Sequence, residues 1–174
     1  MKKLAIGMLS VVMATGLAVV ALARAPRGTS SISLKGKTVS VEYGRPSLNG
    51  RTTDALLGSL KAGQLWRMGA DTSTTFKTDV ELTFGGVTIP AGEYSIWMQR
   101  EADNSWKLLF DKKHGQWGSP SPEASEAFAS APMTSKTAAN SVEILNLTLI
   151  KAGRGGNLMV QWGTLEASAS FKAK

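Results

Sequence analysis

Polar and apolar residues alternate along a series of short segments that starts after residue 30 and continues to the end of the chain. Residues 38–43 are the clearest example, with Val39, Val41 and Tyr43 on one side and polar residues on the other. Successive side chains of a β-strand point to opposite faces. This period of two therefore predicts strands that bury one face.

Further segments of the same kind are residues 73–78, 80–84, 93–98, 106–110, 145–149, 158–162 and 166–171. Gly85 and Gly86 join two of them as a hairpin turn. Only residues 53–60 have a helical pattern, with Asp54 in the first turn. About eight short strands with glycine-rich turns predict an all-β, single-domain antiparallel sandwich or open barrel with one short helix.

The start of the chain predicts export. Lys2 and Lys3 precede an uncharged apolar stretch over residues 4–23, which closes on Ala21-Leu22-Ala23. This pattern is typical of a signal peptide, residues 1–23, cleaved before Arg24. The alternative is an uncleaved anchor, because about 20 apolar residues span a bilayer. We expect a periplasmic or extracellular protein with no membrane span after signal cleavage.

The mature part, about 150 residues, suffices for one domain. We interpret residues 24–30 as a flexible leader and residues 31–174 as a single β domain. Residues 119–136 contain three prolines and no alternation, which predicts a long connection within that domain.

Charge and cysteine content exclude several classes of protein. Without Lys2 and Lys3 the chain has 18 basic against 13 acidic residues, a net charge of +5 that is spread along the sequence. No basic run is interleaved with aromatic residues, so a nucleic-acid partner is not expected. The chain has no cysteine, so it forms no disulfide and the core alone must hold the fold.

The sequence offers few groups for catalysis or metal binding. His114 is the single histidine, and there is no Asp-rich calcium loop, so we expect no metal site. No phosphate-binding or dinucleotide motif occurs, and no cofactor is expected. Paired carboxylates would allow polymer hydrolysis, and the available ones are Glu42, Asp71, Asp79, Glu81 and Glu93.

Three arginines stand in predicted loops. Arg45 and Arg51 follow the first clear strand, and Arg67 follows the short helix. A guanidinium fork suits carboxylates and phosphates because two N–H groups meet two oxygens in one plane. Together the three arginines predict an anion pocket, with Trp66 or Tyr43 as a wall.

The alternative is that these arginines pair internally and pin loops. Asp71, Glu42 and Glu93 are the nearest candidate partners in the pattern, and such networks commonly serve packing. We expect Arg67 to be held by the carboxylate of Asp71 and Arg45 to face the pocket.

Three ordered motifs carry a family resemblance: Tyr43-x-Arg45-Pro46-Ser47-x-x-Gly50-Arg51, Leu65-Trp66-Arg67-x-Gly69-Ala70-x-x-x-Thr74 and Ile89-Pro90-Ala91-Gly92-x-Tyr94-Ser95. Trp106 and Gln116-Trp117-Gly118 fit the same pattern. Over about residues 31–165 the chain resembles the bacterial exported family known as domain of unknown function 2911. The resemblance implies export and a β-rich fold, and it implies no activity.

One position departs from that family, whose members typically have asparagine where this chain has Asp71. A carboxylate there would neutralise a neighbouring arginine. From the motifs and the loops together, the candidate binding residues are Tyr43, Arg45, Arg51, Trp66, Arg67, Asp71 and Thr74.

These observations favour a non-enzymatic binding or envelope-interaction module with an arginine-lined loop site. Its partner would be a small anionic ligand or an envelope component. One alternative is a hydrolase that acts on an envelope or extracellular polymer through paired carboxylates or through Arg67 and Asp71. Another is a purely structural envelope protein in which the motifs only pin loops.

Overall fold

The structure is a computed structural model, and it describes residues 24–174. The predicted signal peptide, residues 1–23, lies outside the described residues. Within residues 24–174, no helix has both the length and the apolar character needed to cross a membrane.

Strands make up most of the described chain. In chain order the elements are β1 (Arg27–Leu34), β2 (Lys37–Gly44), α1 (Thr53–Leu57), β3 (Leu65–Trp66), β4 (Thr75–Thr78), β5 (Leu82–Phe84), β6 (Val87–Ile89), β7 (Gly92–Arg100), β8 (Trp106–Asp111), β9 (Ala129–Pro132), β10 (Thr134–Ala152) and β11 (Gly155–Ala173). A single 3₁₀ turn, Ala124–Glu126, precedes β9.

The strands form two antiparallel sheets. The first has the order β1-β2-β4-β7-β8-β9, with β3 also paired to β7, and the second has the order β10-β11-β5-β6. Neighbours along each sheet are antiparallel throughout. The predicted all-β antiparallel sandwich is confirmed.

A cluster of phenylalanines joins the two sheets. Phe76 and Phe110 come from the first sheet, Phe84 and Phe171 from the second, and all four are buried. Phe76 meets the other three edge to face, with ring centroids 5.9–6.4 Å apart. Such contacts add to the burial of large apolar surface, which is the main stabilisation available to a chain without disulfides.

The predicted flexible leader is largely a strand. β1 begins at Arg27 and pairs with the whole of β2, from Arg27 opposite Gly44 to Leu34 opposite Lys37. Its sequence is mostly polar, and most of its side chains are exposed or half-buried. The backbone hydrogen bonds to β2 therefore hold β1 in place. Backbone hydrogen bonds do not depend on apolar side chains, so the hydrophobic pattern of the sequence does not reveal this strand.

The predicted long connection is shorter than residues 119–136. β9 pairs with β8, Lys107 facing Pro132, and β10 already begins at Thr134. Pro132 is tolerated because β9 lies at the edge of its sheet.

The helix is also shorter than predicted. Thr52 caps it by accepting a hydrogen bond from the amide of Ala55, and α1 ends at Leu57.

The last two strands form one long hairpin rather than separate short strands. β10 and β11 have 19 residues each, and their register shifts between Thr137 and Val142 and again before Asn146. Such bulges bend a strand. The second half of β10 lies against β1, where the amide of Leu149 donates to Ser30 Oγ at 2.9 Å.

Candidate functional site

Residues 67–73 dock on the end of β2, next to the start of β1. A Cβ placed on Gly44 would lie 2.2 Å from the carbonyl oxygen of Ala70, so only glycine permits this approach. Buried Thr74 donates from Oγ1 to the carbonyl of Met68 at 2.8 Å and closes the loop on itself. Arg27 reaches the carbonyl of Thr72 from β1 at 3.3 Å.

A second loop, residues 112–118, docks on the first. The amide of Ser73 donates to the carbonyl of Gln116 at 2.9 Å, and the amide of Gly118 donates to the carbonyl of Asp71 at 2.8 Å. Trp117 lies between these two hydrogen bonds, and the residue is 52% exposed. The backbone is therefore fixed on both sides of a solvent-facing tryptophan.

Arg67 lies beside Gly118, the residue after Trp117, and is not paired with Asp71. Its side chain covers Gly118, where an added Cβ would be 2.6 Å from Arg67 Cδ, and its Nε donates to the carbonyl of Gly69 at 3.1 Å. Asp71 instead accepts a hydrogen bond from the amide of Ala25 at 2.8 Å. No ion pair within residues 24–174 joins Arg67 to a carboxylate. The predicted pairing is wrong, because Asp71 accepts from the segment just before β1 and Arg67 donates to a backbone carbonyl instead.

Arg45 contacts the same end of β1. Its amide donates to the carbonyl of Pro26 at 2.8 Å, and its side chain covers Gly28. The Nε of this half-buried arginine is buried and has no hydrogen-bond partner among the described residues. A buried donor without a partner is destabilising, typically by about 1–3 kcal/mol.

Trp66 and Tyr43 belong to the core rather than to a pocket wall. Trp66 is 8% exposed and stacks on Trp162 with ring centroids 5.7 Å apart. Tyr43 is buried and donates from its hydroxyl to Asn146 Oδ1 at 3.2 Å, which ties the first sheet to the long hairpin.

Arg51 holds its own loop. Its Nε donates to the carbonyl of Leu48 at 2.8 Å. Glu143 of β10 fixes the same loop by accepting from Ser47 Oγ and from the amide of Asn49, and these hydrogen bonds lower the pKa of the Glu143 carboxyl. The hydrogen bonds of the Arg51 side chain therefore stay within its own loop.

The carboxylates considered for hydrolysis have separate partners. Asp79 and Glu93 line one open groove of about 680 Å³, with Lys37 and Lys77. Asp79 accepts from the amide of Thr38 at 3.3 Å, and Glu93 lies 3.3 Å from His114 Nδ1. Glu42 and Glu81 form ion pairs with Arg27 and Lys174. Among residues 24–174, no three His, Cys, Asp or Glu side chains are grouped to hold a metal ion.

The comparison with known families decides where this chain belongs. A sequence model of the family described as Protein of unknown function (DUF2911) matches residues 25–171. The chain belongs to this family. No curated protein and no solved structure matches it. The DUF2911 match covers both docked loops, the α1 region and nearly all of the long hairpin.

Trp117 is the residue that sequence reasoning about the site missed. Gln116-Trp117-Gly118 fits the DUF2911 pattern, but the sequence alone does not show whether a tryptophan in a loop is exposed or packs into the core. Its exposure follows from the backbone pairing of residues 116–118 with residues 71–73, two segments that are far apart in the sequence.

We expect Arg67→Met to lower the free energy of unfolding of this DUF2911 domain by about 1–2 kcal/mol. The variant loses one charged hydrogen bond in a half-buried position and leaves no buried carboxylate behind. Urea denaturation measures the change, and Arg154→Met, in the exposed β10–β11 turn, is the matched control. A loss of about 3–5 kcal/mol would show a buried ion pair instead.

Proposed function

We propose that this chain is an exported, non-enzymatic binding module that recognises an acidic carbohydrate of the cell envelope or its surroundings. The observation that carries the proposal is Trp117, a tryptophan exposed to solvent on a backbone held by hydrogen bonds on both sides. We call Arg27, Arg67, Asp71, Thr72 and Trp117 the loop surface.

The chemistry of the loop surface supports an acidic sugar. Trp117 offers a flat apolar ring that can pack on the apolar face of a sugar. Arg67 lies against Gly118, the residue that follows Trp117 in the chain, and among residues 24–174 no carboxylate forms an ion pair with its guanidinium. A guanidinium binds carboxylate or phosphate groups in a bidentate geometry. The net charge of +5 after residue 23 also attracts an anionic polymer.

Arg45 is a second candidate contact. Among the described residues no ion pair includes its guanidinium, so its charge remains for an anionic group. Three other predicted site residues differ from Arg45, because they form side-chain hydrogen bonds within the fold: Arg51, Tyr43 and Thr74.

A purely structural role is the second candidate. It is favoured by the internal hydrogen bonds of Arg51 and Thr74, which hold loops in place. It gives no reason for the exposure of Trp117, because a residue that only stabilises a loop gains most when it is buried.

Binding of a galacturonate oligosaccharide tests the proposal, with a neutral malto-oligosaccharide of the same length as the comparison. We expect the acidic oligosaccharide to quench tryptophan fluorescence and its affinity to fall as salt is raised. Trp117→Ala should weaken binding at least about tenfold. Phe128→Ala is the matched control, since Phe128 is also an exposed aromatic residue but stacks on Tyr94 and is not one of the loop-surface residues.

Three results would contradict the proposal. Equal binding of the neutral oligosaccharide would remove the role of Arg67. An unchanged affinity of Trp117→Ala would remove the loop surface as the site. Release of shorter oligosaccharides during the incubation would favour the hydrolase alternative.

A further inference from the structure

A cleft of about 310 Å³ lies between α1 and the start of the long hairpin. Its walls come from α1, from the β7–β8 turn and from both β10 and β11, and its polar lining includes Asp54, Arg100, Asn104, Lys136, Thr137 and Thr164. The cleft shares no residue with the loop surface. Ligand pockets have volumes of about 300–1,000 Å³, so this one suits a small ligand.

Arg100 is fixed in position at this cleft. Its guanidinium lies over the ring of Trp106, 4.9 Å from the ring centroid, and its Nη2 donates to Asn104 Oδ1 at 2.9 Å. Trp106 is itself buried and packs against Trp66 at 6.3 Å between ring centroids. The hydrogen bond to Asn104 uses one of the five guanidinium N–H donors, and a guanidinium that is already ordered loses little entropy when it binds.

The charges of the cleft are complementary to a ligand that has both signs. No ion pair within the described part of the chain includes Arg100 or Asp54, so these two groups are neutralised neither by each other nor by a neighbour. Lys136 is different, because it pairs with Glu166 at 2.9 Å. One cation and one anion thus remain for a ligand.

We propose that this cleft binds a small zwitterion of the amino acid or short peptide class. The carboxylate of the ligand lies on the fork of Arg100, and its ammonium group lies near Asp54. The hydroxyls of Thr137 and Thr164 can form hydrogen bonds with the amide groups that a peptide ligand carries between its ammonium and carboxylate groups. A ligand with only negative charge would be repelled by Asp54, and one with only positive charge would be repelled by Arg100. This site is independent of the proposed carbohydrate binding, since it uses different residues.

Calorimetric titration of the purified protein with alanyl-alanine tests the charge requirement directly. N-acetyl-alanyl-alanine lacks the ammonium group, and alanyl-alanine amide lacks the carboxylate. We expect alanyl-alanine to bind and each blocked form to bind at least about tenfold more weakly. No binding of alanyl-alanine up to its solubility limit would overturn the proposal, and so would equal binding of either blocked form.

Two variants then assign the contacts. Arg100→Gln and Asp54→Asn should each weaken alanyl-alanine binding at least about tenfold while the circular dichroism spectrum stays unchanged. Arg154→Gln and Glu126→Gln make the same charge changes at exposed positions away from the cleft and should bind as the wild type does. Wild-type affinity in Arg100→Gln would overturn the site. Should that variant not fold, the blocked dipeptides still decide the question on the wild-type protein.

Discussion

Phe76→Ala is expected to lower the free energy of unfolding by about 3–5 kcal/mol, the usual range for removing a buried phenylalanine ring. Phe76 is fully buried and contacts Phe84, Phe110 and Phe171, two of which belong to the opposite sheet. The substitution leaves a cavity at the junction of the sheets, and the surrounding rings cannot collapse into it without loss of their own contacts. Urea denaturation followed by circular dichroism measures the change.

Phe128→Ala is the control for this experiment. Phe128 is 39% exposed, stacks on Tyr94 at 5.9 Å and is contacted by Lys112 at 4.4 Å. Its removal opens no internal cavity, so we expect a loss of about 1 kcal/mol. Equal losses in the two variants would mean that the phenylalanine cluster is not the centre of the core.

Gly44→Ala is expected to lower the free energy of unfolding by about 3 kcal/mol, at the upper end of the usual range for overpacking. The added methyl carbon would lie 2.2 Å from the carbonyl oxygen of Ala70 and 2.8 Å from its nitrogen. These are backbone atoms of a loop that is fixed by Thr74 and by the pairing with residues 116–118. The loop must therefore move away from β2, which also displaces Arg67 and Trp117.

Gly92→Ala separates this steric effect from the general effect of replacing glycine in a strand. At Gly92 the added carbon would meet only the tip of the Tyr94 side chain, at 3.1 Å or more. We expect a change within about 1 kcal/mol there. If Gly44→Ala is as stable as Gly92→Ala, the close docking of residues 67–73 on β2 is wrong. If Gly44→Ala folds but loses galacturonate binding, the docked loop is required for the loop surface.

Most strands of this protein were predictable because their signal is local. Leu145, Leu147 and Leu149 alternate with polar residues in the sequence, and all three are buried on one face of β10. The Gly85-Gly86 turn likewise joins β5 to β6, where Phe84 pairs with Val87. In both cases residues that are close in the sequence suffice for the prediction, because alternate side chains of a strand lie on opposite faces of the sheet.

The residues of the candidate site were predictable by residue type, but their positions relative to each other were not. The motifs pointed to Arg45 and Arg67, and both lie at the loop end of β1 and β2. Trp66 and Trp117 could not be told apart from the sequence. One stacks in the core on Trp162, and the other is exposed. A tryptophan in either place satisfies the local pattern, and the difference arises from which distant segment covers it.

Local sequence patterns were enough to predict the period of most strands, the glycine-rich turns and therefore the class of fold. Tertiary structure alone decided that polar β1 is a strand, because its stability comes from a backbone ladder to β2. It also decided that Asp71 accepts from Ala25 rather than from Arg67, and that Arg100 and Asp54 share a cleft. Contacts between residues so far apart along the chain depend on how the sheets and loops pack together, and no local pattern of side chains records that packing.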